Sequence, residues 1–72
     1  MEKIIFDLKN QEYITLVNLL KLKSLVSSGG EVKSLLIEEK ITYNGEIDYR
    51  KKKKLFKNDI VILDGKYEIL IK

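Results

Sequence analysis

The sequence predicts one α+β domain, spanning residues 1–72, in which two short helices pack on a small antiparallel sheet. Its 72 residues are enough for a single domain only. Leucines at helical spacing occur in the first half, whereas strand-like segments and two hairpin turns fill the second half. A strand, two helices and then a run of strands is the order typical of an α+β domain.

A strand and the first helix account for the N-terminal part of this prediction. The apolar run at residues 4–6 consists of strand-forming residues. Thr15 has the side chain of a helix N-cap, and three leucines follow it at the spacing of one helix face: Leu16, Leu19 and Leu20. The phase of the later apolar residues then predicts a break near Lys23 and Ser24.

The second helix should begin at a capping box formed by Ser28 and Glu31. In such a box the serine hydroxyl accepts a hydrogen bond from the third helical N–H, and the glutamate reaches back to the N-cap N–H. Val32, Leu35 and Leu36 would form the buried face of this helix. Three charged residues at 38–40 interrupt the pattern, so we expect the helix to end there.

Turn chemistry organises the second half of the chain. Two dipeptides, Asn44-Gly45 and Asp64-Gly65, combine residues that tolerate the positive φ of a type I′ hairpin turn. Strands are therefore expected at residues 41–43, 46–49, 59–63 and 66–71. Between the two hairpins the chain should return to the core, and four side chains are expected to pack there: Tyr43, Tyr49, Leu55 and Phe56.

The composition removes most catalytic chemistry, because the chain has neither cysteine nor histidine. Disulfides, thiolate metal sites and Ser-His-Asp or Cys-His centres are excluded. Catalysis by carboxylates such as Glu38 and Glu39 stays open, although adjacent helical residues point in different directions and are readily explained as solvated. We expect a protein that is not an enzyme and that uses no metal, cofactor or small-molecule substrate.

The chain also lacks the features of a secreted or membrane protein. The N-terminal segment is too short and too highly charged to be a signal peptide. No apolar run approaches the roughly 18 residues of a membrane span. A cytoplasmic location without a membrane partner is the expectation.

Five consecutive basic residues, Arg50–Lys54, dominate the charge distribution. The net charge is +3, but without this segment the chain has nine basic and eleven acidic residues, a net of −2. One concentrated positive segment on a nearly neutral body is typical of a phosphate-binding surface. A solvated loop is the alternative, and Glu46 and Asp48 precede the segment closely enough to relieve part of its self-repulsion.

A glycine pair at the second helix offers another phosphate contact. Gly29 and Gly30 lack Cβ atoms, so a phosphate could approach the N–H groups of a helix start, where the helix dipole favours an anion. Lys33 would add positive charge there, and Lys21 and Lys23 would extend the basic surface. A flexible turn between the helices is the alternative explanation of the glycines.

These segments resemble the S4 RNA-binding domain family over roughly residues 15–63. The positions that match its pattern are Ser28, Glu31, Val32, Leu35, Leu36, Ile41, Tyr43, Asn44, Gly45, Asp59 and Ile60. Small bacterial proteins that consist of little besides this domain are closer still, and share Leu20-Lys21-Leu22, Ser28-Gly29-Gly30 followed by Lys33, Asn44-Gly45-Glu46, and Arg50-Lys51 followed by Lys54-Leu55. The family often has glycine where this chain has Glu39 and Asn58.

The resemblance implies a non-enzymatic RNA-binding module for ribosomal RNA or tRNA, with a place in ribosome assembly or translation. With the reasoning above, it predicts these RNA contacts: Lys21, Lys23, Ser28, Gly29, Gly30, Lys33, Arg50, Lys51 and Lys54. A-form RNA hides its major groove, so contacts to shape and phosphates are expected. A protein-interaction module that uses an exposed edge of the late strands is the alternative, and charge alone does not distinguish RNA from DNA.

Overall fold

Two helices and seven strands make up the chain in a computed structural model that describes all 72 residues. The strands are β1 (Glu2–Phe6), β2 (Ile14–Thr15), β3 (Ile41–Tyr43), β4 (Glu46–Ile47), β5 (Lys54–Leu55), β6 (Ile60–Leu63) and β7 (Tyr67–Ile71). The helices are α1 (Leu16–Leu22) and α2 (Gly29–Ile37). The prediction of an α+β domain is confirmed.

The strands form a five-stranded sheet in the order β1-β7-β6-β3-β4 and a two-stranded sheet of β2 and β5. The pairs of β3, β4, β6 and β7 are antiparallel, as the hairpin turns predict, whereas β1 runs parallel to β7. The sheet is therefore mixed, and β4 is shorter than the predicted strand at 46–49. The late strands β6 and β7 lie inside the sheet, so the expectation that they offer an exposed edge is wrong; β1 and β4 are the edges.

Both hairpin turns have the predicted backbone. The φ angles are +52° and +88° at Asn44 and Gly45, and +53° and +63° at Asp64 and Gly65. Positive φ at both central positions is the signature of a type I′ turn. The Asn44 side chain also accepts a hydrogen bond from the N–H of Ile60 at 2.8 Å. The first hairpin is thereby fixed to the start of β6.

Both helices end in a left-handed residue that is not glycine. Glu39 has φ +59°, and the N–H of Lys40 donates to the carbonyl of Leu35 at 2.9 Å, which is the bond of a Schellman motif. Ser24 ends α1 in the same way with φ +58°, and Asn58 before β6 has φ +77°. The positive φ explains why glycine suits the positions of Glu39 and Asn58 in the resembling family.

The core lies between the helices and one face of the sheet, and all fifteen of its buried residues are hydrophobic. The helices supply Leu16, Leu19, Leu20, Val32 and Leu36, as their spacing predicts, and Leu35 is half-buried. Two packing predictions are wrong: Phe56 is 43% exposed and Tyr49 is 58% exposed. Neither helix is long and apolar enough to cross a membrane.

Candidate nucleic-acid interface

The basic segment Arg50–Lys54 is attached to the start of α1 through its backbone. The N–H of Leu16 donates to the carbonyl of Lys53, and the N–H of Val17 donates to that of Lys51, both at 3.0 Å. Thr15 occupies the N-cap position as predicted, but its side chain makes no capping hydrogen bond. The first N–H groups of a helix need such partners, so the segment itself caps α1 and is held against the helices.

Tyr43 contacts the basic segment through both its hydroxyl and its ring. Its ring is buried as predicted, its hydroxyl donates to the carbonyl of Arg50 at 3.4 Å, and the ammonium of Lys53 lies 5.3 Å from its ring centroid. Burial raises the pKa of Tyr43 well above its usual range, and the charge of Asp48 acts in the same direction. The phenol therefore stays protonated and keeps donating across the physiological pH range.

Asp48 neutralises part of the basic segment. Its carboxylate accepts from the Arg50 guanidinium at 2.7 Å (Nη2) and 3.1 Å (Nε), and from the Arg50 N–H at 2.9 Å. The Lys53 ammonium lies 3.6 Å from the same carboxylate. Hydrogen bonds from the Arg50 side chain and then its backbone hold the pKa of Asp48 well below its usual range. Glu46, also expected to relieve repulsion, forms no ion pair.

Lys51 points to the start of α2 instead. A Cβ atom on Gly29 would lie 3.8 Å from the Lys51 ammonium and 3.9 Å from the Val17 side chain. The fold thus brings the glycine pair and the basic segment, which are separated in sequence, to one surface. Lys33 is exposed on the same helix about one turn further along.

The glycine pair is not the flexible turn considered above. Gly29 and Gly30 are the first two residues of α2, and neither has a positive φ. A Cβ atom on Gly30 would meet only the Ser28 hydroxyl at 3.8 Å. Neither conformation nor packing requires glycine here, although glycine is a weaker helix former than alanine.

The N-terminus of α2 has the predicted cap with one change. The Ser28 hydroxyl accepts from the N–H of Glu31 at 3.3 Å, as in a capping box. The Glu31 carboxylate reaches one residue further back than predicted and accepts from the N–H of Ser27 at 2.9 Å and its hydroxyl at 3.1 Å. The N–H groups of Gly29 and Gly30 donate to no protein atom. Two backbone donors thus remain open beside Lys51.

The other predicted contacts are distributed around α1. The Lys54 ammonium lies 4.8 Å from the ring centroid of Tyr13. Lys21 lines a surface hollow of about 580 Å³ with the same tyrosine, so these two lysines extend the basic surface along β2 and α1. Lys23 lies at the opposite end of α1 from the basic segment, with its ammonium 5.7 Å from the Phe6 ring centroid.

The acidic residues considered for catalysis have structural contacts. The carboxylate of Glu38 lies 3.7 Å from the Lys40 ammonium, and that of Glu39 accepts a hydrogen bond from the Tyr49 hydroxyl. That hydrogen bond raises the pKa of Tyr49. No cluster of three or more acidic side chains is arranged to hold a metal ion.

One aromatic pair was not anticipated from the sequence. Tyr13 and Phe56 lie with ring centroids 6.0 Å apart and planes inclined at 53°, the tilted geometry that aromatic pairs favour. The residues are far apart in the chain and join only because β2 pairs with β5. An aromatic side chain two residues after a basic run is the one local signal that could have indicated it.

Comparison with known proteins places this geometry in a family. The family model for the S4 domain matches residues 6–71. The chain is also 41% identical over 54 residues, 75% of its length and 76% of the relative's, to a Bacillus subtilis protein described as the probable ribosome maturation protein RlbA. The residues matched by the family model include both helices, the hairpins and the basic segment. The chain belongs to the S4 domain family.

Proposed function

We propose that this protein is a non-catalytic RNA-binding module that acts in ribosome maturation. It binds structured RNA, of the ribosomal RNA or tRNA class, through backbone phosphates. The description of the Bacillus subtilis relative as a probable ribosome maturation protein supports the ribosomal part of this proposal. Membership of the S4 family supports RNA as the ligand. Such a role would place the protein in the cytoplasm.

The observation that carries the proposal is the surface formed where Lys51 meets the start of α2. Gly29 and Gly30 present two backbone N–H groups that have no protein partner, and the Lys51 ammonium lies beside them. A helix start with open N–H groups and a nearby cation is suited to a phosphate. Glycine is unfavourable in a helix, and the backbone conformation does not require it at either position. Its presence is consistent with selection for the close approach of a phosphate to the backbone.

All of the remaining predicted contacts except Lys23, which lies at the far end of α1, extend this site in two directions. Lys33 would bind a further phosphate along α2, and Lys21, Lys54 and Arg50 would follow the backbone across α1 and the basic segment. Ser28 would contribute chiefly by capping α2. Contacts of this kind read the shape of A-form RNA and not its sequence.

Matched RNA and DNA hairpins of equal length test the proposal directly. Fluorescence anisotropy at several salt concentrations should show tighter binding to RNA and a log affinity that falls by about 0.7 to 0.9 per phosphate contact for each log unit of salt. Equal or stronger binding to the DNA hairpin would contradict RNA as the ligand. Binding that hardly depends on salt would favour the protein-interaction alternative, for which the edges of β1 and β4 are available.

A further inference from the structure

Phe56 is the one hydrophobic residue in a hollow otherwise lined by cations. The hollow has a volume of about 410 Å³, and its other lining residues are Arg50, Lys52, Lys53 and Lys54. A large apolar ring that is 43% exposed loses the stabilisation that burial would give it. Neither core packing nor phosphate binding explains its place.

The ring is held in place by its backbone and by its neighbour. The N–H of Phe56 donates to the Asp59 carboxylate at 2.8 Å, and its carbonyl accepts from the N–H of Asp59 at 3.0 Å. Asp59 in turn accepts from the Asn44 side chain at 3.1 Å, which connects this turn to the first hairpin. Tyr13 lies against one side of the ring. Phe56 is therefore pre-organised, which lowers the entropy cost of a ligand that contacts it.

The chemistry of the hollow selects one kind of ligand. Asp48 pairs with Arg50 and Lys53, but one carboxylate does not neutralise four cations, so the hollow favours an anion. Its exposed aromatic face favours a flat apolar group. An unpaired nucleotide has both, because its phosphates are negative and its base stacks on aromatic rings. An acidic peptide matches the charge but not the ring, and paired bases in an A-form helix are not available for stacking.

We propose that Phe56 stacks an unpaired base of the bound RNA while the lysines beside it bind the flanking phosphates. This inference rests on the proposed RNA-binding function and adds to it a preference for RNA that carries a bulged or looped-out nucleotide. Phenylalanine has no hydrogen-bonding group in its side chain, so the preference concerns the unpaired state and not the identity of the base.

Two synthetic RNA hairpins with the same stem test this, one fully paired and one with a single bulged 2-aminopurine nucleotide. The wild-type protein should bind the bulged hairpin more tightly and should quench its 2-aminopurine fluorescence through stacking. Phe56→Leu keeps an apolar side chain but removes the aromatic face. It should weaken binding to the bulged hairpin by about tenfold and leave the paired hairpin and the salt slope nearly unchanged. Tyr49→Leu, which changes an exposed tyrosine outside the hollow, should alter neither.

The outcomes separate this inference from the proposed function. If wild type binds both hairpins equally without quenching, or if Phe56→Leu weakens both equally, base stacking is contradicted while phosphate binding stands. If wild type binds neither hairpin, both proposals fail. Should Phe56→Leu fold poorly, which thermal melting would reveal, the quenching by wild type still decides the question.

Discussion

The basic segment Arg50–Lys54 contains two kinds of cation that the sequence presents as equivalent. Arg50 and Lys53, the anchored cations, contact Asp48, and Lys53 also lies over the buried Tyr43 ring. Lys51 and Lys52, the outward cations, form no ion pair, and the Lys51 ammonium lies beside Gly29. Two of the five cations attach the segment to the fold, two are left to bind a ligand, and the Lys54 ammonium lies over the Tyr13 ring.

This division explains how a domain with a small core carries five adjacent positive charges. Like charges repel, and a run without partners would favour an extended, solvated loop. Asp48 removes part of that repulsion, and the helix N–H groups that bind the carbonyls of Lys51 and Lys53 fix the backbone. The outward cations can then be presented in one orientation, which lowers the entropy lost when a phosphate binds.

The largest expected effect comes from removing the support of the anchored cations. Tyr43→Ala deletes a buried ring that touches Lys53 and the backbone of Arg50, and should lower the free energy of unfolding by about 3 kcal/mol. Tyr49→Ala, at an exposed tyrosine, should cost under about 1 kcal/mol. Urea denaturation of both variants measures the difference. Similar losses would show that Tyr43 does not anchor the segment.

The next effect tests the outward cations. Lys51→Glu with Lys52→Glu should weaken RNA binding by roughly tenfold or more and flatten the salt slope by about 2 units, because two phosphate contacts are lost. The matched control is Lys3→Glu with Lys66→Glu, which changes the net charge equally on β1 and on the turn before β7. If the control weakens binding as much, the total charge matters and not the surface beside α2.

Two substitutions at Gly30 separate the stability of the fold from RNA binding. Gly30→Ala adds a better helix former where the new Cβ meets only the Ser28 hydroxyl, so it should stabilise the fold, by less than the roughly 1 kcal/mol that this change gives in a helix interior. Gly30→Val places a larger side chain over the N–H groups and should weaken RNA binding although the protein stays folded. Thermal melting and anisotropy together check this. Unchanged affinity in folded Gly30→Val would show that no phosphate approaches there.

How far the sequence predicts the structure depends on how local the signal is. Asn44-Gly45 and Asp64-Gly65 set their turns through residues in direct succession, and both hairpins form as expected. The parallel pairing of β1 with β7 joins the two ends of the chain, and no local pattern encodes it. Its hydrophobicity predicts that Phe56 packs in the core, but hydrogen bonds with Asp59 hold its backbone in a surface turn.

The candidate site shows the same limit. A charge run indicates a basic surface but not which side chains already have partners, because partners such as Tyr43 are supplied by the fold. Asp48 is the exception, since an aspartate two residues before Arg50 is placed to accept its N–H, as aspartates in turns often do. The sequence predicts a phosphate contact at the glycine pair, but its proximity to Lys51 depends on how α1 and α2 pack.

Single alanine substitutions compare the two kinds of cation through smaller changes in the salt slope of RNA binding. Lys51→Ala should flatten the salt slope of RNA binding by about 0.7 to 0.9. Arg50→Ala should flatten it less, because the guanidinium is already paired with Asp48 and releases fewer counterions when it meets a phosphate. Salt titrations by anisotropy on one RNA hairpin measure both slopes. An equal or larger change for Arg50→Ala would mean that RNA displaces Asp48 and that the division proposed here does not persist in the complex.

The smallest effect concerns Asp48 and pH. Its pKa is lowered in the folded protein from an unfolded value of about 3.9, so its ionised form stabilises the fold above that value and loses this contribution as the pH falls toward the folded pKa. Asp48→Asn removes the titrating group. Wild type should therefore melt at a higher temperature than Asp48→Asn at pH 7, and the difference should shrink below about pH 4. A gap that is constant or wider in acid would show that the charge of Asp48 is not what holds the segment.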